Sequence, residues 1–187
     1  MDPGQHLRRR VGVAALALCA LTVMAGTLLT VRALADAPPR VGQRAPALVV
    51  PLLDGRTFDL TKEHGKVVIV NFWATWCSPC RAEMPRLDSF YKHYRARGVE
   101  LLGLSVDDAN DRAAVAEVMR HFSYPAALAA SARVNEFGEP VAVPVTWIID
   151  AHGVVRARLV AGSAVTEQAL AQAVAPLLAT GNEHAAQ

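Results

Sequence analysis

The chain is 187 residues long, with 19 basic and 17 acidic side chains and a formal net charge of +2. From Ala37 onward the basic and acidic residues are equal in number, so the small excess of positive charge belongs to the N-terminal segment. Because the residues from Ala37 onward have no net charge, they lack the concentrated basic surface of nucleic-acid-binding proteins. We therefore expect no nucleic-acid partner. The length fits one domain plus a short appendage.

The N-terminal segment predicts export. Residues 1–10 end in three consecutive arginines, and residues 11–31 carry no charge over a length that suits a membrane-spanning helix. We predict a cytoplasmic basic segment at 1–10 and a transmembrane anchor at 11–31 in the inner membrane, because positive charge before an apolar run stays in the cytoplasm. The alternative is a signal peptide cleaved near Ala35, although the apolar run is longer than usual for one. Both predictions place the remainder of the chain at the periplasmic, extracytoplasmic face.

Residues 32–44 predict a stiff, proline-containing linker to a domain at 45–180, which is followed by a flexible polar tail at 181–187. Within the domain, β-branched and aromatic runs alternate with segments of helical periodicity. In the first half of the domain we predict strands at 47–53 and 57–60, a central strand at 66–73, a helix at 78–97 and a strand at 99–106. In the second half we predict a helix from the 107–110 capping residues to 121, a short strand at 126–129, a helical turn at 134–137, a hairpin of 145–150 and 154–160, and a helix at 165–179. This order predicts an α/β fold with a mixed central sheet flanked by helices.

Two cysteines, Cys77 and Cys80, lie where the central strand passes into the long helix. Cys77 is then at the helix N-terminus, where unpaired backbone N–H groups and the helix dipole stabilise a thiolate. We therefore predict that Cys77 is the attacking sulfur and Cys80 the resolving sulfur of a redox-active pair. A zinc site is the alternative, but it needs two further Cys or His ligands at suitable spacing. Cys19 lies in the apolar N-terminal run and the histidines are scattered singly, so we predict redox chemistry and no metal.

Residues 72–85, FWATWCSPCRAEMP, resemble the active-site segment of thioredoxin-like proteins. The glutamate three residues after the second cysteine narrows the resemblance to the membrane-tethered TlpA, ResA and CcmG type among the AhpC/TSA-like redoxins. The resemblance implies a thioredoxin fold with an extra N-terminal β-hairpin, formed by the two strands that flank the turn at Asp54-Gly55. It also implies a redox disulfide between Cys77 and Cys80, with no bound cofactor.

Glu83 is the most informative polar residue near the cysteines. It shares a helix face with Cys80, three positions earlier. Asn71 stands where many thioredoxins carry a buried Asp that accepts a proton, and an amide cannot act as a base. We therefore predict that Glu83 is partly buried, has a raised pKa and relays protons for the Cys80 thiol. The alternative is an exposed helix glutamate that pairs with Arg86 or Lys92.

Four further residues are expected to contact the substrate. The resemblance implies that the Val143–Pro144 bond is cis and faces the disulfide, so that the Val143 backbone is open to strand-like pairing and metal is kept away from the thiols. Trp76 is predicted at the surface beside Cys77, where an aromatic ring can contact a partner protein. Pro79 restricts the turn between the cysteines and tunes their redox potential.

These residues predict a thiol-disulfide oxidoreductase in which Cys77 attacks a substrate disulfide and Cys80 resolves the mixed disulfide. The resemblance implies a reductant of specific protein disulfides, for example in apocytochrome c before haem attachment, recharged by a membrane thiol electron donor. We expect a monomer. Three alternatives remain at this point. The first is a disulfide-forming oxidant, which differs only in redox potential. The second is a thiol peroxidase, which usually has a lone nucleophilic cysteine. The third is a copper metallochaperone of similar fold, which needs a wider Cys spacing and a downstream histidine, for which His152 is poorly placed.

Overall fold

The computed structural model describes residues 39–160 and 165–184. The predicted basic segment at 1–10, the apolar span at 11–31 and the alternative cleavage site at Ala35 lie outside the described residues, as does most of the predicted linker. Within the described ranges, no helix combines the length and the apolar character needed to cross a bilayer.

Strands and helices alternate along the described part of the chain, as the sequence predicts. In chain order the elements are β1 (Leu48–Pro51), β2 (Thr57–Asp59), β3 (Val67–Trp73), α1 (Ser78–Tyr94), β4 (Val99–Ser105), α2 (Arg112–Met119), β5 (Ala126–Leu128), β6 (Val134–Asn135), β7 (Val145–Ile149), β8 (Val155–Val160) and α3 (Glu167–His184). Short 3-10 turns lie at Leu60–Lys62, Arg95–Arg97, Ala109–Asp111 and Ala129–Ser131.

Five of the strands form a mixed sheet with β3 at its centre. The strand order is β5-β4-β3-β7-β8, with β3 parallel to β4 and antiparallel to β7. All seven residues of β3 are buried, because α1 and α3 pack on one face and a second sheet packs on the other. This double coverage explains the uninterrupted apolar run of the central strand. The cysteines follow directly where this buried strand leaves the sheet.

The second sheet is antiparallel and has the order β2-β1-β6. The sequence analysis predicted a helical turn at residues 134–137, and this is wrong, because Val134 and Asn135 form β6 and pair with β1. On either side of β6, the backbone N–H of Arg133 donates to the carbonyl of Val49 in β1 at 2.8 Å, and that of Glu136 donates to the carbonyl of Ala47, directly before β1, at 3.0 Å. The pairing joins segments that are far apart in the chain, so the local pattern around residue 134 does not encode it.

Helices α2 and α3 differ from their predicted bounds at both ends. α2 begins only at Arg112, after a 3-10 turn, and its α-helical part ends at Met119. α3 begins one residue after Thr166, whose Oγ1 accepts a hydrogen bond from the N–H of Ala169 at 3.0 Å. It continues to His184, into the segment at 181–187 that was predicted to be a flexible tail. The apolar face of α3 as far as Leu178 packs in the core against β3 and α1.

Asp150 organises the turn between β7 and β8. Its Oδ1 accepts from the backbone N–H groups of His152 and Val154 at 2.9 Å each, and its Oδ2 accepts from Arg156 Nε at 2.6 Å. Burial alone would raise the pKa of Asp150, but these hydrogen bonds and the charge of Arg156 hold that pKa below its usual value of 3.8. A depressed folded-state pKa stabilises the fold above the unfolded-state pKa, and this contribution is lost as the pH falls through the folded-state value.

We therefore expect Asp150→Asn to lower the free energy of unfolding by about 1–3 kcal/mol at neutral pH, because the backbone N–H groups of the turn and Arg156 lose an ionised acceptor. The difference from the unsubstituted protein should shrink as the pH falls through the acid range in which Asp150 protonates. Chemical denaturation at a series of pH values measures both effects. Asp54→Asn is the control, since Asp54 is exposed and its ion pair with Arg56 lies on the surface. Equal stability of the two variants at neutral pH would contradict the role of Asp150.

Candidate active site

A disulfide joins Cys77 and Cys80 at the start of α1. Cys77 is the N-cap residue of the helix, and Pro79 lies exposed in the first turn. Cys77 is 5% exposed and Cys80 is 2% exposed, so a partner can reach the pair only over a small area. The strand-to-helix position predicted for the two cysteines is confirmed.

The helix N-terminus favours negative charge on Cys77. The backbone N–H of Cys80 donates to Cys77 Sγ at 3.2 Å, which is the hydrogen bond of an N-cap side chain. Once the disulfide is reduced, this N–H group and the positive end of the helix dipole stabilise a thiolate on Cys77. Cys80 lies inside the first turn and lacks the N-cap position. The geometry therefore supports different chemical roles for the two sulfurs.

The loop before β7 faces the disulfide. The Val143–Pro144 peptide bond is cis, as the resemblance implies. The carbonyl oxygen of Val143 lies 3.7 Å from Cys77 Sγ, although 66 positions separate the two residues in the chain. Pro144 is buried and Val143 is half-buried. This loop therefore brings a backbone edge next to the sulfur expected to attack.

Two exposed apolar side chains lie in the segments that meet at the disulfide. Trp76, directly before Cys77, is 70% exposed, which agrees with its predicted surface position. Val141, two residues before Val143, is fully exposed. Val141 was not predicted from the sequence as a site residue. The available signal was an apolar residue in a loop that begins after Pro140 and ends at a second proline.

Glu83 lies on the buried side of α1. It is 9% exposed, and its Oε2 is buried with no hydrogen-bond partner among the described residues. Burial raises the pKa of Glu83, while the positive charge of Arg86 acts in the opposite direction. Lys92 forms its ion pair with Asp88, at 2.6 Å. The structure agrees with the predicted burial and raised pKa, and the alternative of an exposed glutamate does not describe this side chain.

Hydrogen bonding sets Glu83 apart from the other buried acids. Among the described residues, Asp88, Asp107 and Asp150 are also buried, and each of their carboxylates accepts hydrogen bonds from backbone N–H and side-chain groups. Asn71 is likewise engaged, since its Nδ2 donates to Thr146 Oγ1 at 2.9 Å. A buried carboxyl with an unpartnered oxygen has the capacity to take up a proton.

Comparison with known proteins assigns the family. The model of the AhpC/TSA family matches residues 41–158. The chain belongs to the AhpC/TSA family. Within that family it is a redoxin of the TlpA/ResA type, because relatives named thiol-disulfide oxidoreductase ResA match it over most of their length.

The redoxin is similar to characterised and solved proteins along its folded part. The thiol-disulfide oxidoreductase ResA of Geobacillus thermodenitrificans is 34% identical over 128 residues, which are 68% of this chain and 72% of that protein. ResA of Bacillus thuringiensis subsp. konkukian is 32% identical over 115 residues, 60% of this chain and 65% of that protein, just under two thirds of its length. A crystal structure from Chlorobium tepidum TLS, described as a thiol:disulfide interchange protein of the thioredoxin family, is 27% identical with a TM-score of 0.62 and covers 76% of this chain and 99% of that chain. The predicted thioredoxin-like α/β fold is confirmed.

Residues 107–110 were predicted to offer capping residues for the helix after β4. Asp108 is the N-cap residue of the 3-10 turn before α2, whereas the carboxylate of Asp107 turns back toward the segment before the cysteines. Asp107 is 4% exposed and accepts hydrogen bonds from Thr75 and Ser105. The sequence signal that could have found it is an acidic residue directly after the strand that neighbours the central one.

The structure offers no metal site to the redoxin within the described ranges, where no cluster of three or more His, Cys, Asp or Glu side chains is arranged to hold an ion. His152, the candidate downstream histidine for copper, follows β7, whereas Pro144 precedes it. His152 is therefore at the opposite end of the strand from the disulfide.

Proposed function

We propose that this redoxin is an extracytoplasmic enzyme that reduces disulfides in specific protein substrates. The observation that carries the proposal is the placement of the Cys77–Cys80 pair at the N-terminus of α1, against the cis Val143–Pro144 loop. A small accessible sulfur beside an open backbone segment suits exchange with an extended polypeptide better than with a bulky folded surface. The roles of the individual residues follow from this placement.

Cys77 carries out the first step. Its thiolate attacks one sulfur of the substrate disulfide, the bond between Cys77 and that sulfur forms, and the substrate S–S bond breaks. The other substrate sulfur leaves as a thiolate and takes a proton from solvent. The N-cap hydrogen bond at Cys77 supports this step, because it stabilises the thiolate at neutral pH.

Cys80 carries out the second step with the help of Glu83. The Cys80 thiol passes its proton to the Glu83 carboxylate and attacks Cys77 Sγ. The Cys77–Cys80 bond forms, and the second substrate sulfur leaves and is protonated. Two electrons have then moved to the substrate, and the protein is in the disulfide state of the structure. The burial of Glu83, which brings its pKa toward that of a thiol, supports its role as the proton acceptor.

The proposed substrate surface contains the four residues predicted from the sequence and one further residue, Val141. The Val143 backbone pairs with the substrate chain, and Pro144 holds that backbone in place opposite Cys77. Trp76 supplies exposed apolar surface on one side of the pair, Val141 supplies it on the loop, and Pro79 shapes the turn between the sulfurs.

The compartment and the client are inferred from the N-terminal sequence and the family. Residues 11–31 anchor the domain at the periplasmic face of the inner membrane, and a membrane thiol donor returns it to the dithiol state. We assign the paired strands β1 and β2 as the extra hairpin of the TlpA type. Apocytochrome c, whose haem-attachment motif is itself a Cys-X-X-Cys-His sequence, is the proposed client.

The reduction potential of the Cys77–Cys80 pair tests the direction of electron flow. Equilibration of the full-length protein with dithiothreitol or glutathione buffers should give a value near that of thioredoxin, about −270 mV, as a recharged reductant requires. A value near about −120 mV would make the protein a disulfide donor and overturn the proposal. The client is tested separately, by comparing reduction of an oxidised Cys-X-X-Cys-His peptide with that of a peptide in which alanine replaces the histidine.

A further inference from the structure

A buried carboxylate connects the end of β4 to the turn that leads into the cysteines. Asp107 Oδ2 accepts from the backbone N–H of Thr75 at 2.9 Å and from Ser105 Oγ at 2.6 Å, and its Oδ1 accepts from Thr75 Oγ1 at 2.6 Å. The N–H of Asp107 donates to Ser105 Oγ at 3.0 Å. Both carboxylate oxygens are thus engaged, and two of their three donors belong to one residue of the turn.

The turn held in this way ends at Cys77. Thr75 precedes Cys77 by two positions, and the N–H of Cys77 donates to the carbonyl of Ala74 at 3.1 Å. The N–H of Val106, beside Asp107, donates to the carbonyl of Trp73 at 2.9 Å. The backbone before Cys77 is therefore tied to the end of β4 at two successive points.

Among the described residues, the carboxylate of Asp107 has hydrogen-bond donors but no cationic partner. No salt bridge in the described part of the chain includes it, and it is 4% exposed. A buried carboxylate is tolerated only where donors satisfy it, so the charge is strongly coupled to the position of those donors. Movement of Thr75 away from this position removes two of the three donors that satisfy the carboxylate, including the hydroxyl that donates to Oδ1.

We propose that Asp107 is a positioning residue of the redox site, whose carboxylate holds Thr75 so that Cys77 Sγ stays at the N-cap of α1. This inference rests on the proposed function, because it assumes that the Cys77 thiolate is the reactive group. No hydrogen bond of the described residues joins Asp107 to either sulfur. Asp107 therefore acts on Cys77 indirectly, through the turn that contains Thr75.

Positioning and charge have opposite effects on Cys77. The negative charge of Asp107, acting through space, disfavours a thiolate, so its removal alone lowers the pKa of Cys77. Release of the turn weakens the N-cap hydrogen bond, so loss of positioning raises the pKa of Cys77. Thr75→Val separates the two effects, because it removes the hydroxyl donor while it keeps the charge of Asp107, the backbone donor and the shape of the side chain.

The experiment measures the pH dependence of alkylation at Cys77 in the reduced full-length protein, with the site identified by mass spectrometry because Cys19 and Cys80 are also thiols. In Asp107→Asn and in Thr75→Val we expect the alkylation rate below the thiol pKa to fall by at least about threefold, which corresponds to a pKa rise of about half a unit. The reduction potential of the pair should change in both variants, because a less stable thiolate makes the dithiol form less favourable.

Asp88→Asn is the matched control. Asp88 is 6% exposed and accepts from the N–H and Oγ of one residue, Ser123, at 2.6 and 2.7 Å, so it is tied to a distant loop as Asp107 is tied to Thr75. Asp88→Asn should lower stability without changing alkylation at Cys77. If Asp107→Asn and Thr75→Val both leave the alkylation profile unchanged, Asp107 has a structural role only and the proposal is wrong.

A lower Cys77 pKa in Asp107→Asn, with no change in Thr75→Val, would also overturn the proposal, since Asp107 would then act by its charge alone. If Asp107→Asn does not fold, Thr75→Val decides the question. Failure of the unsubstituted protein to reduce protein disulfides would refute the proposed function, but the alkylation profiles would still decide whether Asp107 positions Cys77.

Discussion

Replacing Cys80 with serine is expected to trap the protein in a mixed disulfide between Cys77 and its substrate. The first exchange step needs only the Cys77 thiolate, whose N-cap environment remains because the Cys80 N–H is a backbone group. The second step needs the Cys80 sulfur, so the covalent intermediate accumulates and multiple turnover falls to the background rate. Non-reducing electrophoresis followed by mass spectrometry of the linked peptides measures the adduct.

Cys77→Ser is the control for this experiment. It leaves Cys80 in the first turn of the helix at 2% exposure and without the N-cap position, so we expect neither turnover nor a substrate adduct. Accumulation of an adduct through Cys80 would reverse the assignment of the two sulfurs. Sustained turnover in the Cys80→Ser variant would show that resolution does not need the second cysteine of this pair.

Replacing Glu83 with glutamine is expected to slow the resolution step by about 10²-fold, the lower range for loss of a general acid or base. The amide keeps the shape of the buried side chain but cannot accept the Cys80 proton. The pH dependence of resolution should also lose the ionisation of Glu83, whose pKa is raised by burial. Single-turnover measurements over a pH series test both effects, and an unchanged profile would refute the proton relay.

Stability distinguishes a lost relay from a damaged fold. Because the folded-state pKa of Glu83 is raised, its favourable contribution is fully present below the unfolded-state pKa and is lost as the pH rises through the folded-state value. At neutral pH, Glu83→Gln should therefore be at least as stable as the unsubstituted protein. Glu117→Gln is the control, since Glu117 is an exposed helix glutamate paired with Arg120 and should affect neither resolution nor stability.

The position of the redox pair could be predicted because the features that place it are local. The features lie within 28 consecutive positions, from Val67 to Tyr94. They are a buried strand, two cysteines separated by two residues, and the helix that begins between them. Strand and helix periodicity are properties of neighbouring residues, and the N-cap position of Cys77 follows from the boundary between them. The burial of Glu83 followed for the same reason, since it lies three positions after Cys80 on one helix.

Local patterns failed where the partner lies elsewhere in the chain. Residues 134–137 were predicted to be helical, yet Val134 and Asn135 pair with β1, an edge that only the folded chain supplies. Residues 107–110 were predicted only as capping residues of the following helix, yet two of the three donors to the Asp107 carboxylate belong to Thr75, 32 positions earlier. In both cases a long-range hydrogen bond replaced the local one that the sequence favoured.

The sequence by itself determined the strand, the cysteine pair and the helix of this redoxin, because short-range geometry and side-chain chemistry decide them. Only the tertiary structure decided which groups surround Cys77. The carbonyl of Val143 and the carboxylate of Asp107 reach the active-site turn because β4 and β7 flank the central strand β3 on its two sides. That arrangement depends on burial of β3 between two layers, and burial is a property of the whole fold.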